Sequence, residues 1–133
     1  MEKVFMNEPE NKPENQPENQ QQIECVFCKI ISGVIPSPHL ASNEYAIAIA
    51  DIAPVAPTHF LILPRVHEEN AVALHRSDSQ AMAGIFSLVD SLTSRAGISD
   101  YRLIFNTGAD AGQSVFHAHL HLIAGRPLSW PPG

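Results

Sequence analysis

The most informative run of the chain is Ser114-Val115-Phe116-His117-Ala118-His119-Leu120-His121-Leu122-Ile123, in which histidines alternate strictly with apolar residues. Side chains alternate between the two faces of a β-strand, so this spacing predicts a strand over 115–123. The three imidazoles then share one face, and the apolar side chains between them share the other. Because polar groups are rarely buried without partners, a row of three imidazoles indicates a functional site.

Two chemistries use such a row: metal binding by neutral ring nitrogens, or nucleophilic catalysis by one imidazole with its neighbours handling charge and protons. The preceding segment, 106–114, contains glycines, amides and hydroxyls. Glycines allow close approach of the backbone, and amides and hydroxyls suit phosphate oxygens. A dedicated zinc enzyme would more often have carboxylates there. The segment therefore favours phosphate chemistry.

Composition predicts one small domain, since the chain has 133 residues, 44% of them hydrophobic and 17% charged. The net charge of −6 argues against a nucleic-acid backbone as partner. No apolar run reaches the roughly 18 residues of a membrane span, and the first residues have no signal-peptide core. With five Glu and two Lys but no Arg in residues 1–22, a transit peptide is not expected. We expect no membrane association and a cytoplasmic or nuclear location.

The N-terminal segment, residues 1–22, repeats the triplet Pro-Glu-Asn at positions 9, 13 and 17. Such a sequence buries too little apolar surface to offset the entropy cost of ordering, which predicts a disordered tail. Residues 23–133 have a globular composition.

The globular part predicts an α+β domain whose antiparallel sheet is covered by one long helix. A short helix is expected from Val26 to just before Gly33. The long helix is expected to begin at the capping box Ser77-Asp78-Ser79-Gln80 and to end before Gly97. The predicted strands are 39–41, 45–50, 60–63, 101–105 and 115–123.

The run His117–Ile123 resembles the histidine triad motif, and residues 112–116 resemble the lead-in of that superfamily. The resemblance covers about residues 24–133, and the ending Trp130-Pro131-Pro132-Gly133 points to the Hint branch of nucleotide-binding phosphoramidases. It implies a five-stranded sheet with one long and one short helix, extended across a two-fold homodimer. The implied activity is hydrolysis of the P–N bond of purine nucleoside 5′-phosphoramidates, such as adenosine 5′-monophosphoramidate, with no cofactor required.

By this resemblance, His119 attacks the α-phosphorus and forms a nucleotidyl-histidine that water then hydrolyses. His59 would reach the same face as a proton relay or orienting partner. Ser114 would hydrogen-bond the departing amine. The residues expected around the phosphate are His117, His121, Gln113 and Ser114.

The resemblance also implies a nucleotide site, with Asp51 accepting the ribose hydroxyls and Asn106 nearby. An apolar slot for the base would be formed by Val26, Phe27, Ile30 and Ile52. Here Ile49-Ala50 stands where an aromatic residue and a histidine are common in this branch. Ile49 is therefore either beside the slot or part of the core.

Cys25 and Cys28 form a C-x-x-C pair, for which a disulfide is not expected in a reducing compartment. A structural zinc site is possible if His59 and His117 complete the ligand set, as some triad proteins suggest. Zinc there would compete with the catalytic use of those histidines. The other histidines, His39, His67 and His75, are interpreted as surface or turn residues.

Three alternative functions stay open at this point. One is hydrolysis of dinucleoside polyphosphates, which is also a triad activity. Another is a nucleotide-sensing interaction module with vestigial catalysis, docked through its Pro-Glu-Asn tail. The third is a zinc enzyme with three histidine ligands, which metal content and chelator sensitivity would identify.

Overall fold

A computed structural model describes residue 22 and residues 24–133. The predicted tail, residues 1–22, lies outside the described residues except for Gln22. Within the described part, no helix combines the length and apolar character that a membrane span requires. The elements in chain order are α1 (Val26–Ser32), β1 (Ala41–Ser42), β2 (Ala46–Ala50), β3 (Thr58–Pro64), α2 (Ala71–Ser77), α3 (Ser79–Ala96), β4 (Tyr101–Ile104) and β5 (Leu120–Ala124), with a 3₁₀ turn at Ala109–Ala111.

The five strands form one antiparallel sheet in the order β1-β2-β3-β5-β4, which confirms the α+β prediction. Both faces of the sheet are covered. On one face, Ile62, Leu120 and Leu122 pack in a core with residues of α2 and α3 such as Leu74 and Ile85. On the other face, a second core contains Phe27 of α1 together with strand residues Ile47, Ile49, Leu61 and Leu63. Since side chains alternate along each strand, the two cores share the same strands.

The glycine signals for the helix ends are confirmed, but the predicted capping box is displaced by one residue, because Ser77 is the last residue of α2 and Asp78 is the N-cap of α3. The long helix α3 begins after Asp78, whose carboxylate accepts a hydrogen bond from the amide of Ala81 at 3.0 Å. It ends at Gly97 with φ 67°, and α1 ends at Gly33 with φ 87°, both in the left-handed region that favours glycine. Helix α2 was not predicted from the sequence, although Asn70 caps it by accepting from the amide of Ala73 at 2.9 Å.

Strand β5 is shorter than the predicted 115–123, since its pairing begins at Leu120. The segment before it bonds elsewhere: the amide of Ala118 donates to the Glu68 carbonyl at 2.7 Å, and the Val115 carbonyl accepts from the Gln113 side chain at 3.1 Å. The alternation of faces nevertheless continues, because Ala118 lies in the same core as Leu120. Strand β1 is also displaced, to Ala41–Ser42 from the predicted 39–41.

Candidate active site

Three polar side chains, those of Asp51, His59 and His121, meet on the face of the sheet that α1 covers. Asp51 follows the last residue of β2, His59 is the second residue of β3, and His121 is the second residue of β5. These three strands are adjacent in the sheet. Nε2 of His59 lies 2.9 Å from Nδ1 of His121 and 3.4 Å from Oδ2 of Asp51. The structure therefore brings together three of the residues expected in the site.

His119, the central histidine of the triad, is oriented by the backbone carbonyl of a residue two positions earlier in the chain. Its Nδ1 lies 2.7 Å from the carbonyl oxygen of His117. A carbonyl only accepts hydrogen bonds, so the ring hydrogen is on Nδ1 and the lone pair is on Nε2. The ring of Phe27 packs edge-on against it at a centroid distance of 4.9 Å, and the ring of His121 lies at 5.1 Å. The unprotonated Nε2 is what a nucleophile requires.

The hydrogen positions on His59 and His121 follow from a backbone amide. The amide of Val55 donates to Nδ1 of His59 at 3.1 Å, so neutral His59 carries its hydrogen on Nε2. That hydrogen is then donated to Nδ1 of His121, 2.9 Å away. His121 in turn carries its own hydrogen on Nε2. The pair thus gives His121 a hydrogen-bond donor on the nitrogen that faces away from His59.

Burial keeps the triad histidines neutral. Desolvation lowers the pKa of His119, although the His117 carbonyl and the Asp51 carboxylate act in the opposite direction. The pKa of His121 falls to about 4, mainly through burial and then through the repulsion it would meet from His119 and His59 if those rings were also protonated. At neutral pH, His119 is therefore a base and His121 a neutral donor.

The loop before the triad is held by Gln113, which is 4% exposed. Its side-chain oxygen accepts from the amide of Gly108 at 2.8 Å, and its nitrogen donates to the carbonyls of Glu69 at 2.8 Å and Val115 at 3.1 Å. Gln113 therefore positions this loop through three backbone bonds, and its expected contact with phosphate would require giving one up. Ser114, next to it, is exposed and accessible to a ligand.

The structure brings together only some of the residues expected to form the slot for the base. Phe27 is buried at 7% exposure and packs on the triad, while Ile30 is half-buried beside it. Val26 is 37% exposed and Ile52 is fully exposed. Ile49, at 4% exposure, belongs to the core, which confirms that alternative. Asn106, expected nearby, is half-buried next to Gly112 in the loop that leads to the triad.

His117 is placed differently from its expected position around the phosphate. Its side chain is 0% exposed, and its Nε2 donates to the Pro64 carbonyl at 2.8 Å. Its other ring nitrogen faces two thiols, Cys25 at 3.5 Å and Cys28 at 3.6 Å. Burial lowers its pKa to about 4, so the ring is neutral. Because both ring nitrogens are engaged, His117 contributes to the triad through its carbonyl, which orients His119.

A fourth group, His67, completes this cluster. Its Nδ1 lies 3.2 Å from Nδ1 of His117 and 3.3 Å from Sγ of Cys28. His67 was interpreted as a surface or turn residue; it does lie in a loop, but it is half-buried in this cluster and its pKa is lowered chiefly by burial.

The possible metal ligand set Cys25, Cys28, His59 and His117 also requires correction, because His67 takes the place assigned to His59. His59 and the cluster lie at opposite ends of β3, whose length is about 20 Å at a rise of about 3.3 Å per residue. The sequence contained a signal for this ligand, because His67 follows the end of β3 by only three residues and so lies near that end of the strand.

The four-residue cluster fits a tetrahedral metal ion. With Zn–S bonds of about 2.3 Å and Zn–N bonds of about 2.0 Å, donor atoms of a tetrahedral site lie about 3.3–3.8 Å apart. The donor distances measured between the ring nitrogens and sulfurs run from 3.2 to 3.6 Å. Two thiols with two neutral imidazoles are the donors of structural zinc sites, in which four protein ligands leave no open position.

Comparisons with known proteins show which family this sequence and this fold resemble. The HIT domain family matches residues 32–128. The chain is 39% identical over 114 residues to protein pkiA of Dictyostelium discoideum, which covers 83% of this chain and 90% of that protein. A HIT family hydrolase from Clostridium thermocellum superposes with a TM-score of 0.75 at 42% identity, covering 80% of this chain and 94% of that one. A HIT family hydrolase from Legionella pneumophila gives a TM-score of 0.77 at 41% identity, covering 82% and 99%.

Proposed function

The chain belongs to the HIT domain family. We propose that it is a nucleotide-binding hydrolase that cleaves the P–N bond of purine nucleoside 5′-phosphoramidates, the activity implied by its resemblance to the Hint branch. The observation that carries the proposal is the orientation of His119, whose Nδ1–H donates to the His117 carbonyl and leaves Nε2 as a nucleophile. The names of the two similar solved structures, both HIT family hydrolases, support the reaction class.

In the first step, Nε2 of His119 attacks the α-phosphorus and the P–N bond breaks. The bonding electron pair leaves with the nitrogen, which takes up a proton from solvent and departs as the amine. The exposed hydroxyl of Ser114 is the group we assign to hydrogen-bond that nitrogen. His121 donates its Nε2 hydrogen to a phosphate oxygen, where negative charge develops. In the second step, water attacks phosphorus and releases the nucleoside monophosphate and His119.

Asp51 is assigned to the ribose hydroxyls. Its Oδ1 accepts from the amide of Ala53 at 2.8 Å, which fixes the carboxylate at the end of β2. Each carboxylate oxygen can accept more than one hydrogen bond, so the group can still accept the two hydroxyls. Phe27 and Ile30 supply apolar surface for the base on the adjoining helix α1.

We assign a structural zinc ion to Cys25, Cys28, His67 and His117. When bound, this ion would supply folding stability rather than Lewis acidity, since its four ligands all come from the protein. Cys25 is the N-cap of α1, Cys28 lies in its first turn and His67 follows β3, so the cluster ties this helix to the triad. The expected competition between zinc and catalysis does not apply to His59, which lies in the other group of side chains.

A homodimer is the assembly we propose. Strand β4 forms an edge of the sheet, and Tyr101 at its start is 41% exposed. An open edge offers unpaired amides and carbonyls to a second strand. Pairing of β4 with its copy across a two-fold axis would continue the sheet, and analytical ultracentrifugation tests it.

Mass spectrometry of protein quenched during turnover of adenosine 5′-phosphoramidate tests the proposed reaction. We expect an adenylyl adduct on His119, and no adduct with His119→Ala. His75→Ala, which changes an exposed histidine, is the matched control and should form the adduct. An adduct formed only from diadenosine polyphosphates would favour that alternative hydrolase. Nucleotide binding without turnover would favour a sensing module, and either result would overturn the proposal.

A further inference from the structure

The loop between β2 and β3 is held at Val55 by both of its backbone groups. The Val55 amide donates to Nδ1 of His59 at 3.1 Å, and the Val55 carbonyl accepts from Nε of Arg126 at 2.9 Å. The side chain of Val55 is 53% exposed, so its contribution here lies in the backbone. Arg126 is thereby linked to His59 through the backbone of Val55 alone, because one residue makes both hydrogen bonds.

The residue before Arg126 contacts the same loop. Gly125 has φ 102°, and a Cβ atom placed there would lie 2.9 Å from Cβ of Pro57. Only glycine allows β5 to leave the sheet this close to the loop. Arg126 is further oriented by a bond from Nη1 to the Pro127 carbonyl at 3.0 Å. The strand that carries His121 is thus followed directly by two residues that fix the loop contacting His59.

We propose that Arg126 is a positioning residue that sets the hydrogen positions of the His59–His121 pair by holding the Val55 amide against Nδ1 of His59. With the amide in place, His59 carries its hydrogen on Nε2 and donates to His121. His121 then presents a hydrogen to the substrate phosphate. The role of His121 toward phosphate rests on the proposed function, whereas the hydrogen positions are a property of the free protein.

Loss of this contact has a defined consequence. If the Val55 amide moves away, His59 can carry its hydrogen on Nδ1, and its Nε2 becomes an acceptor. His121 must then donate from Nδ1, which leaves a lone pair on the nitrogen expected to face phosphate oxygens. The Asp51 carboxylate, 3.4 Å from Nε2 of His59, still favours a hydrogen there. We therefore expect a mixture of the two arrangements rather than a complete switch.

NMR of protein with ¹⁵N-labelled histidine distinguishes the two ring tautomers and tests the proposal without a substrate. In the wild type we expect the Nε2–H form for His59 and His121. Arg126→Gln should give a mixture at both rings, and Arg126→Lys should restore the wild-type form in part. Arg65→Gln is the matched control, because Arg65 also bonds a backbone carbonyl, that of Asn43 at 3.0 and 3.1 Å, at the other end of β3. It should leave both tautomers unchanged.

A second pair of variants isolates the amide itself. Val55→Pro removes the N–H group, while Val55→Ala keeps it and shortens an exposed side chain. We expect mixed tautomers only in Val55→Pro. In turnover, Arg126→Gln and Val55→Pro should lower kcat about tenfold, which corresponds to about 1.4 kcal/mol of barrier, with a smaller change in KM.

Wild-type tautomers in folded Arg126→Gln and Val55→Pro would overturn the proposal and leave Arg126 a purely structural role. If the wild type has the expected tautomers and they change in these variants, but phosphoramidates are not hydrolysed, the proposed function fails and the positioning role of Arg126 stands.

Discussion

The carbonyl oxygen of His117 accepts a hydrogen bond of 2.7 Å from Nδ1 of His119, while the ring of His117 belongs to the cluster of two thiols and His67. One residue therefore connects the candidate metal cluster to the candidate nucleophile. Its ring is anchored by the Pro64 carbonyl at 2.8 Å, so a displacement of the cluster would move the carbonyl that orients His119.

We expect one zinc ion per purified chain, bound by the cluster that contains His67. His67→Ala and Cys28→Ser should lose most of the metal and lower the Tm, because binding energy of a structural ion contributes to folding. His59→Ala is the matched control and should keep the ion. Elemental analysis by mass spectrometry with thermal unfolding measures both effects. Zinc retained by His67→Ala but lost by His59→Ala would restore the ligand set expected from the sequence.

We expect the acid limb of kcat/KM to lie below pH 6.5. Burial lowers the pKa of His119 from its ordinary value of 6.5, so the ring stays neutral, and nucleophilic, to lower pH. The rate should therefore begin to fall at a lower pH than it would with an unperturbed histidine nucleophile. Measuring the profile with two leaving groups separates the enzyme's titration from the substrate's, and circular dichroism checks folding. A limb centred at or above pH 6.5 would contradict the expectation.

Ser114→Ala should lower kcat more for alkylamine leaving groups than for good leaving groups. If the hydroxyl bonds the departing nitrogen, the contact matters mainly in the transition state and mainly for poor leaving groups. A series of adenosine phosphoramidates with amines of graded basicity measures this. Ser114→Thr keeps the hydroxyl and should keep the wild-type dependence. An equal loss across the series, shared with KM, would assign Ser114 to phosphate binding instead.

Gly84→Ala should destabilise the fold by about 1–3 kcal/mol through overpacking. A Cβ at Gly84 would lie 2.6 Å from Cβ of Tyr45 and 2.7 Å from its ring, which outweighs the gain in helix propensity. Urea unfolding measures the loss. In a Tyr45→Gly background, which removes the clashing atoms, the same substitution should be neutral or stabilising. A stabilised single variant would show that α3 shifts to accommodate the methyl group.

Much of the site could be predicted from sequence because its signals are local. The alternation of His119 and His121 with leucines predicts a strand with one polar face at any position in a sheet. The ends of α3 were also predictable, since Asp78 and Gly97 act on backbone groups within one turn. Helix α2 was missed because its seven residues lack a clear apolar period, and its packing on α3 stabilises it instead.

Local sequence patterns predicted the α+β class, the polar face of the triad and the residue types of the site, since each depends on neighbours within a few positions. Which histidine joins Cys25 and Cys28 depends instead on the packing of distant segments. His59 is the second residue of β3 and His67 follows the strand by three residues, so the rise of the strand separates them, and only His67 lies at the end where His117 is buried. The contact of Arg126 with Val55 was equally hidden, because it joins residues 71 positions apart. Contacts between distant residues depend on how the strands are ordered, and local sequence patterns do not specify that order.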